Sequence, residues 1–257
     1  MRAFLVVVFV FGSAPAVAQS ANDARPITER PVEVPIVAGA GYDALDVNRL
    51  SLIATPRSLI VDGQQVAYER RGDELVIPPI KHAIAQRLAN RAKPELTMFL
   101  DRATPYRSLI EIAVSAREAG VEDLYFATQT SEGAVAAPLA LPSPDEVAHA
   151  PGMMVSVLAR EILIWSRSGL EGSLAKPKRS IPLDHPHALR ELTATLDDIV
   201  QRWWPRAAGR GGMPDPSRII SLQADPNTPV QTIAHVVGAL RATADGRVLF
   251  PSVALAG

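Results

Sequence analysis

Apolar and polar positions along this chain switch between the strand period of two and the helical period of three to four. Leu50-Ser-Leu-Ile-Ala and Ser58-Leu-Ile-Val predict two strands, separated by a turn at Thr55-Pro56-Arg57. Asp62-Gly63 is a tight-turn signal. A helix is predicted over Pro79 to Ala92, because Ile80, Ala83, Ile84, Leu88 and Ala89 share one face and Pro79 suits a first turn. Leu96 to Leu100 is a third strand. A second helix follows, with Thr104 as N-cap, Pro105 at the first helical position, and Leu109, Ile112, Ala113 and Ala116 as its apolar stripe. Gly120 suits its end, and Val121 to Thr128 is the last strand of the set.

The same order recurs. Met154 to Leu158 and Ile162 to Trp165 read as strands. Pro186 to Trp204 reads as a helix with Leu189, Leu192, Leu196, Ile199 and Val200 on one face. Ile219 to Ala224 is a strand, and Thr228, Pro229 and Gln231 form a capping box that opens a helix with Ile233, Val236, Val237 and Leu240 inside. Arg247 to Phe250 is the expected final strand. Asp-X-X-Thr-Pro occurs at Asp101 to Pro105 and again at Asp225 to Pro229, 124 positions later. That offset runs without a gap from Asp101/Asp225 through Arg117/Arg241 to Phe126/Phe250, while the first two strands align at an offset near 104. The difference marks a basic, proline-containing insertion over Ser166 to His185. Strand-strand-helix-strand-helix-strand, used twice, predicts an α+β fold of two tandem αβ units, each a small mixed sheet with two helices on one face.

The rest of the chain frames these units. Met1-Arg2, the apolar run Phe4 to Phe11 and Ala16-Val17-Ala18 have the order of a secretory signal peptide over 1–18, which predicts a periplasmic protein. The alternative is an uncleaved N-terminus with residual inner-membrane anchoring, but the apolar run is only about half of the roughly 20 residues a span needs. Residues 19–45 read as a proline-rich tether, 46–130 as the first domain, 131–152 as a linker with Pro138, Pro142, Pro144 and Pro151, and 153–257 as a second, divergent domain. With no cysteine, disulfides and cysteine-based metal sites are excluded. A net charge of −1 offers no sequence-wide attraction to nucleic acid or to an acidic membrane. Aromatic content is 5%, so the cores rest on aliphatic side chains.

Leu96-Thr-Met-Phe-Leu-Asp-Arg-Ala-Thr-Pro-Tyr-Arg-Ser-Leu-Ile, followed by Ala116-Arg-Glu-Ala-Gly-Val-Glu-Asp-Leu-Tyr-Phe-Ala-Thr128, resembles the periplasmic domain of the ExbD/TolR family. The resemblance covers about Val47 to Thr128. Met153 to Val253 resembles the same domain more distantly, through Ala224-Asp225-Pro-Asn-Thr-Pro229 and Ala239-Leu-Arg241, with Val230 in the place of the tyrosine. Members of that family carry an acidic residue in a transmembrane helix that serves a proton-driven motor. No acidic residue lies between Met1 and Ser20, so that role does not transfer. The resemblance implies binding of peptidoglycan or of a partner in an envelope energy-transduction complex. It also implies homodimer-like pairing, which two copies in one chain satisfy as an internal pseudo-dimer.

Candidate chemistry is sparse, and no catalytic, metal or cofactor site is predicted. Asp101 and Asp225 are candidate ligand contacts, with a turn or capping role as the simpler reading. Tyr106 is a candidate contact through the family motif. Asp184-His185-Pro186-His187 lacks the further ligand and helical spacing of a zinc site. His82, His149 and His235 stand alone and read as surface or boundary residues. Gly209-Arg-Gly-Gly212 reads as a loop, since no phosphate-loop Lys-Ser/Thr follows. Lys176, Lys178 and Arg179 form the one compact basic cluster, suited to wall polymer or lipid headgroups, or to solvation alone. On a helix Trp203 and Trp204 diverge by about 100°, which predicts one core ring and one exposed ring, the exposed one a candidate partner or glycan contact, or packed at its edge by the following loop. The leading expectation is a non-enzymatic periplasmic binding or adaptor protein. The alternatives are a periplasmic hydrolase using carboxylates or histidines, and a structural subunit of a motor complex.

Overall fold

The computed structural model describes residues 32–37, 42–55, 58–67, 74–89, 91–140, 152–205 and 218–256. The expected signal peptide, most of the tether, the second half of the expected linker, His149 and the Gly209–Gly212 loop lie outside the described residues. The first half of the chain forms β1 (Asp43–Ala44), β2 (Leu50–Ala54), β3 (Leu59–Val61), β4 (Gln64–Gln65), α1 (Pro78–Leu88), β5 (Glu95–Leu100), α2 (Tyr106–Glu118), β6 (Asp123–Gln129) and β7 (Ala134–Leu139). The second forms β8 (Met153–Val157), β9 (Glu161–Ser166), β10 (Gly172–Ser173), β11 (Lys176–Pro177), β12 (Arg179–Pro182), α3 (Ala188–Trp203), β13 (Ile219–Ala224), α4 (Val230–Arg241) and β14 (Ser252–Ala256). The fold is α+β, with mixed sheets ordered β1-β7-β6-β5-β2-β3-β4 and β12-β9-β8-β13-β14.

In each sheet three strands run parallel: β2, β5 and β6 in one, β8, β13 and β14 in the other. The chain steps in one direction from each to the next, so right-handed crossovers put both helices on the same face. Accordingly α1 packs beside α2, and α3 beside α4. Leu50, Leu52 and Ala54 of β2 alternate inward, as a period of two requires. The helical stripes Leu109/Ile112/Ala113/Ala116, Leu192/Leu196/Ile199/Val200 and Ile233/Val236/Val237/Leu240 are buried as their spacing predicts, each large aliphatic side chain contributing on the order of 1.5–3 kcal/mol. Leu189, expected in the α3 stripe, is exposed.

Strand register aligns the halves. Leu50 pairs with Leu96 and Met153 with Ile220; Leu52 pairs with Val61 and Val155 with Ile164. The first hairpins therefore correspond at an offset of 103, and β5 and β13 at 124. Beyond the second helix the correspondence changes, because Leu96 pairs with Leu124 whereas Ile220 pairs with Val253, an offset of 129. The strand expected at 247–250 is corrected to Ser252–Ala256. Five added residues enter a turn in which the Thr243 amide donates to the Arg247 carbonyl at 2.9 Å and the Thr243 hydroxyl accepts the Arg247 amide at 3.1 Å. Phe250 leaves the sheet and packs edge-on against Trp204, with ring centroids 6.2 Å apart.

Two segments read as connectors are part of the sheets. The expected linker carries β7, antiparallel to β6 from Leu124↔Leu139 to Gln129↔Ala134. Pro138 is accommodated because its nitrogen faces away from β6. Residue 140 has the same parity, and its amide reaches outward to the Val253 carbonyl at 2.9 Å. The Leu255 amide returns a bond to the Ala140 carbonyl at 2.7 Å, so the end of β7 stitches the first sheet to β14 of the second. In the expected tether, β1 pairs with β7, and the Val37 amide donates to Gln129 at 2.8 Å.

Candidate functional site

The two Asp-X-X-Thr-Pro segments meet. In each, the Asp amide closes the end of a parallel strand pair, Asp101 donating to Ala54 and Asp225 to Val157, both at 2.9 Å. The Thr104 and Thr228 amides then donate to the Asp101 and Asp225 carbonyls at 2.8 and 2.9 Å, which tightens each loop into a turn. Pro105 and Pro229 lie opposite each other as an antiparallel bridge. Around them the bonds are reciprocal. Tyr106 donates to Thr228 and Val230 to Thr104 at 2.8 Å; Arg107 donates to Pro226 and Gln231 to Arg102 at 3.0 Å.

This crossing corrects the expected caps. The helices start at Tyr106 and Val230, with Pro105 and Pro229 in the cap position and no side-chain cap. The first amides of a helix have no partner within it, and here the loop carbonyls of the opposite half supply one. Thr104 is therefore released from capping, and its buried hydroxyl makes no hydrogen bond. Gln231 does not close a capping box either. Its side chain accepts from the Ile36 amide at 3.0 Å and donates to the Ile36 carbonyl at 2.7 Å, while His235 approaches the same carbonyl at 2.8 Å. His235, read as a surface or boundary residue, thus helps clamp the segment preceding β1.

The candidate contacts at the crossing are structural in their geometry. Asp101 accepts the Ala103 amide at 3.0 Å, a local turn, and its other oxygen lies 3.4 Å from the Glu33 amide. Asp225 occupies the matching turn. Tyr106, a candidate contact, is 2% exposed, and its hydroxyl lies 2.9 Å from the Leu222 carbonyl and 2.7 Å from the Ala256 carbonyl, at the far side of the interface. Burial pushes its phenol well above the ordinary range.

A second cluster lies in the insertion. Glu171, 1% exposed, accepts Arg202 at 2.5 Å and the Trp203 indole at 2.7 Å on one oxygen, and Lys178 approaches the other at 3.2 Å. Burial opposes ionisation, but the three donors outweigh it and hold the Glu171 carboxyl below its usual range. Lys178 and Trp203 thus converge on a carboxylate that sequence reading passed over. Gly172 makes this hairpin feasible. It has φ +82°, and a Cβ there would lie 2.5 Å from the Lys178 nitrogen. Arg179 leaves the cluster to pair with Glu191 on α3, while Lys176 stays exposed on β11. Trp203 is half-exposed and Trp204 packs against the core, as the helical divergence predicts. His185 and His187 meet edge to face at 5.8 Å on the surface. Among the described residues no three His, Asp or Glu side chains are grouped to hold a metal ion.

Tyr42 was also missed. Its hydroxyl is buried against Gly238 of α4, and burial, opposed by the nearby Arg241 charge, raises its pKa to about 12. An isolated glycine inside a helical pattern was the available signal for such a close approach. Comparison with protein-family models, with curated proteins and with solved structures returns no match.

Proposed function

We propose that this chain is an exported, non-enzymatic binding or adaptor protein of the cell envelope, built from two ExbD/TolR-like domains that pair as an internal pseudo-dimer. The observation that carries this reading is the reciprocal crossing of the two Asp-X-X-Thr-Pro loops. Equivalent residues satisfy each other across it, which is the isologous geometry of a twofold dimer interface. The candidate carboxylate Asp101 closes a local turn, and Lys178 and Arg179 are taken up by Glu171 and Glu191. Such roles favour a scaffold over a hydrolase. The sheets end in the short strands β4 and β12, edges of the kind to which a partner strand adds.

Among the described residues no helix is long and apolar enough to cross a membrane. The reading is tested by incubating the full chain with purified peptidoglycan and, separately, by affinity purification from native envelopes. Retention on the polymer above a control protein, or recovery of an envelope transport subunit, supports it. Neither result, together with hydrolysis of a wall or peptide substrate, would sink it.

A further inference from the structure

Among the described residues seven large apolar side chains are exposed, and three of them lie on one feature. Leu170 (57% exposed) and Leu174 (52%) belong to the insertion between β9 and α3, and Trp203 (38%) to the helix end that the insertion clasps. Glu171 holds them together: it follows Leu170, accepts the Trp203 indole at 2.7 Å, and lies three residues before Leu174, a reach of roughly 10 Å in extended chain. Leu174 occupies the two-residue turn between β10 and β11, so it projects from a hairpin tip.

Cations share the insertion and the helix end with these side chains. Lys178 and Arg202 place two cations on the single Glu171 carboxylate. Arg167 and Lys176 are exposed, and among the described residues no carboxylate lies within ion-pairing distance of either. The surface is also held in shape, because the Glu171 bonds and the close backbone approach at Gly172 leave the hairpin little freedom to fold its leucines inward. Exposed leucines, one of them at a hairpin tip, a half-exposed tryptophan and cations on the same insertion match the chemistry of a bilayer with anionic headgroups. A glycan would use the indole face but has nothing to offer two projecting leucines.

We propose that this insertion docks the protein onto an anionic lipid surface, with Leu170, Leu174 and Trp203 entering the headgroup region and Arg167 and Lys176 facing the phosphates. The proposal stands apart from the adaptor reading and does not depend on it. The test is co-sedimentation of the full chain with vesicles of phosphatidylcholine alone or mixed with phosphatidylglycerol, at low and physiological salt. Partition is expected onto the anionic vesicles and weakens with salt. The Leu170→Ser/Leu174→Ser variant and the Arg167→Glu/Lys176→Glu variant each lose it several-fold while keeping the parent's thermal midpoint. Brominated lipid quenches the parent's tryptophan emission more than that of Trp203→Phe. Equal partition onto neutral and anionic vesicles overturns the proposal, as do folded variants that bind like the parent. Retention on wall polymer without vesicle binding assigns the surface to a glycan and overturns it too.

Discussion

Tyr106 and Val230 hold equivalent places in the two halves, and each donates its amide to the threonine carbonyl that precedes the other's proline: Tyr106 to Thr228 and Val230 to Thr104, both at 2.8 Å. The symmetry ends at their side chains. Val230 is a compact core residue, whereas Tyr106 crosses the interface to reach carbonyls of β13 and β14.

Replacing Tyr106 by Phe therefore removes a buried donor without altering the loop crossing. The expected loss is about 1–3 kcal/mol. For a chain of this size each kcal/mol lowers the melting midpoint by about 2–4 °C. A pH series gives a second readout. The folded state keeps the phenolic proton that the unfolded chain releases near the ordinary value of 10.0, so the parent's stability falls as pH rises above that value. Tyr106→Phe should lose less over that range. Equal alkaline losses in parent and variant, by thermal melts, would count against the assigned burial.

Gly238→Ala places a Cβ 2.2 Å from the Tyr42 hydroxyl. Because that hydroxyl is buried, the ring must shift, at a cost of about 1–3 kcal/mol. Tyr42→Phe removes the colliding atom, and the double variant should recover most of the loss. A double-mutant cycle by urea unfolding measures the coupling, and additive effects would refute the contact.

Glu171→Gln separates charge from shape. At neutral pH it should cost about 1.5–3 kcal/mol, the scale of a hydrogen bond to a charged group. The folded-state pKa is depressed, so the contribution is present above the ordinary glutamate value of 4.5 and is lost as pH falls through the lower folded value. The difference between parent and variant melting midpoints should shrink across that acid window. A constant difference would show that the charge is not what the cluster uses.

Gly172→Ala sets a Cβ within 2.8 Å of three backbone atoms of Lys176, Pro177 and Lys178, in a left-handed conformation. It should loosen the β10–β11 hairpin by about 1–3 kcal/mol and raise hydrogen exchange there while the amides of β13 stay protected. Unchanged exchange in the hairpin would contradict the close packing.

Much of the architecture was legible in the pattern. The Leu50–Ala54 and Ile219–Ala224 strands coincide with β2 and β13, because an apolar run bounded by turn residues is a local property. Asp62-Gly63 is the turn it reads as, with φ of 48° and 80°. The helix stripes were legible for the same reason. The caps were not, because Thr104 and Gln231 have capping chemistry that a distant loop made redundant. Nor was β7, since Pro138 argues against a strand unless the neighbour on its donor side is known. Glu171 carried no signal, its three partners lying 7 to 32 positions away.

By itself the sequence determined the α+β class and the order of the four helices and of the strands β2, β3, β5, β6, β8, β9 and β13, because those depend on periodicity and turn chemistry within a few residues. Tertiary structure decided what the repeated motif is for. Hydrogen-bond demand at a helix start is local, but which carbonyl meets it depends on how two sheets come together. That encounter turned Asp-X-X-Thr-Pro from a candidate binding motif into the seam between the two halves. It also set the β10–β11 hairpin, which has no counterpart among the described residues of the first half, beside the end of α3 through the Glu171 bonds to Arg202 and Trp203.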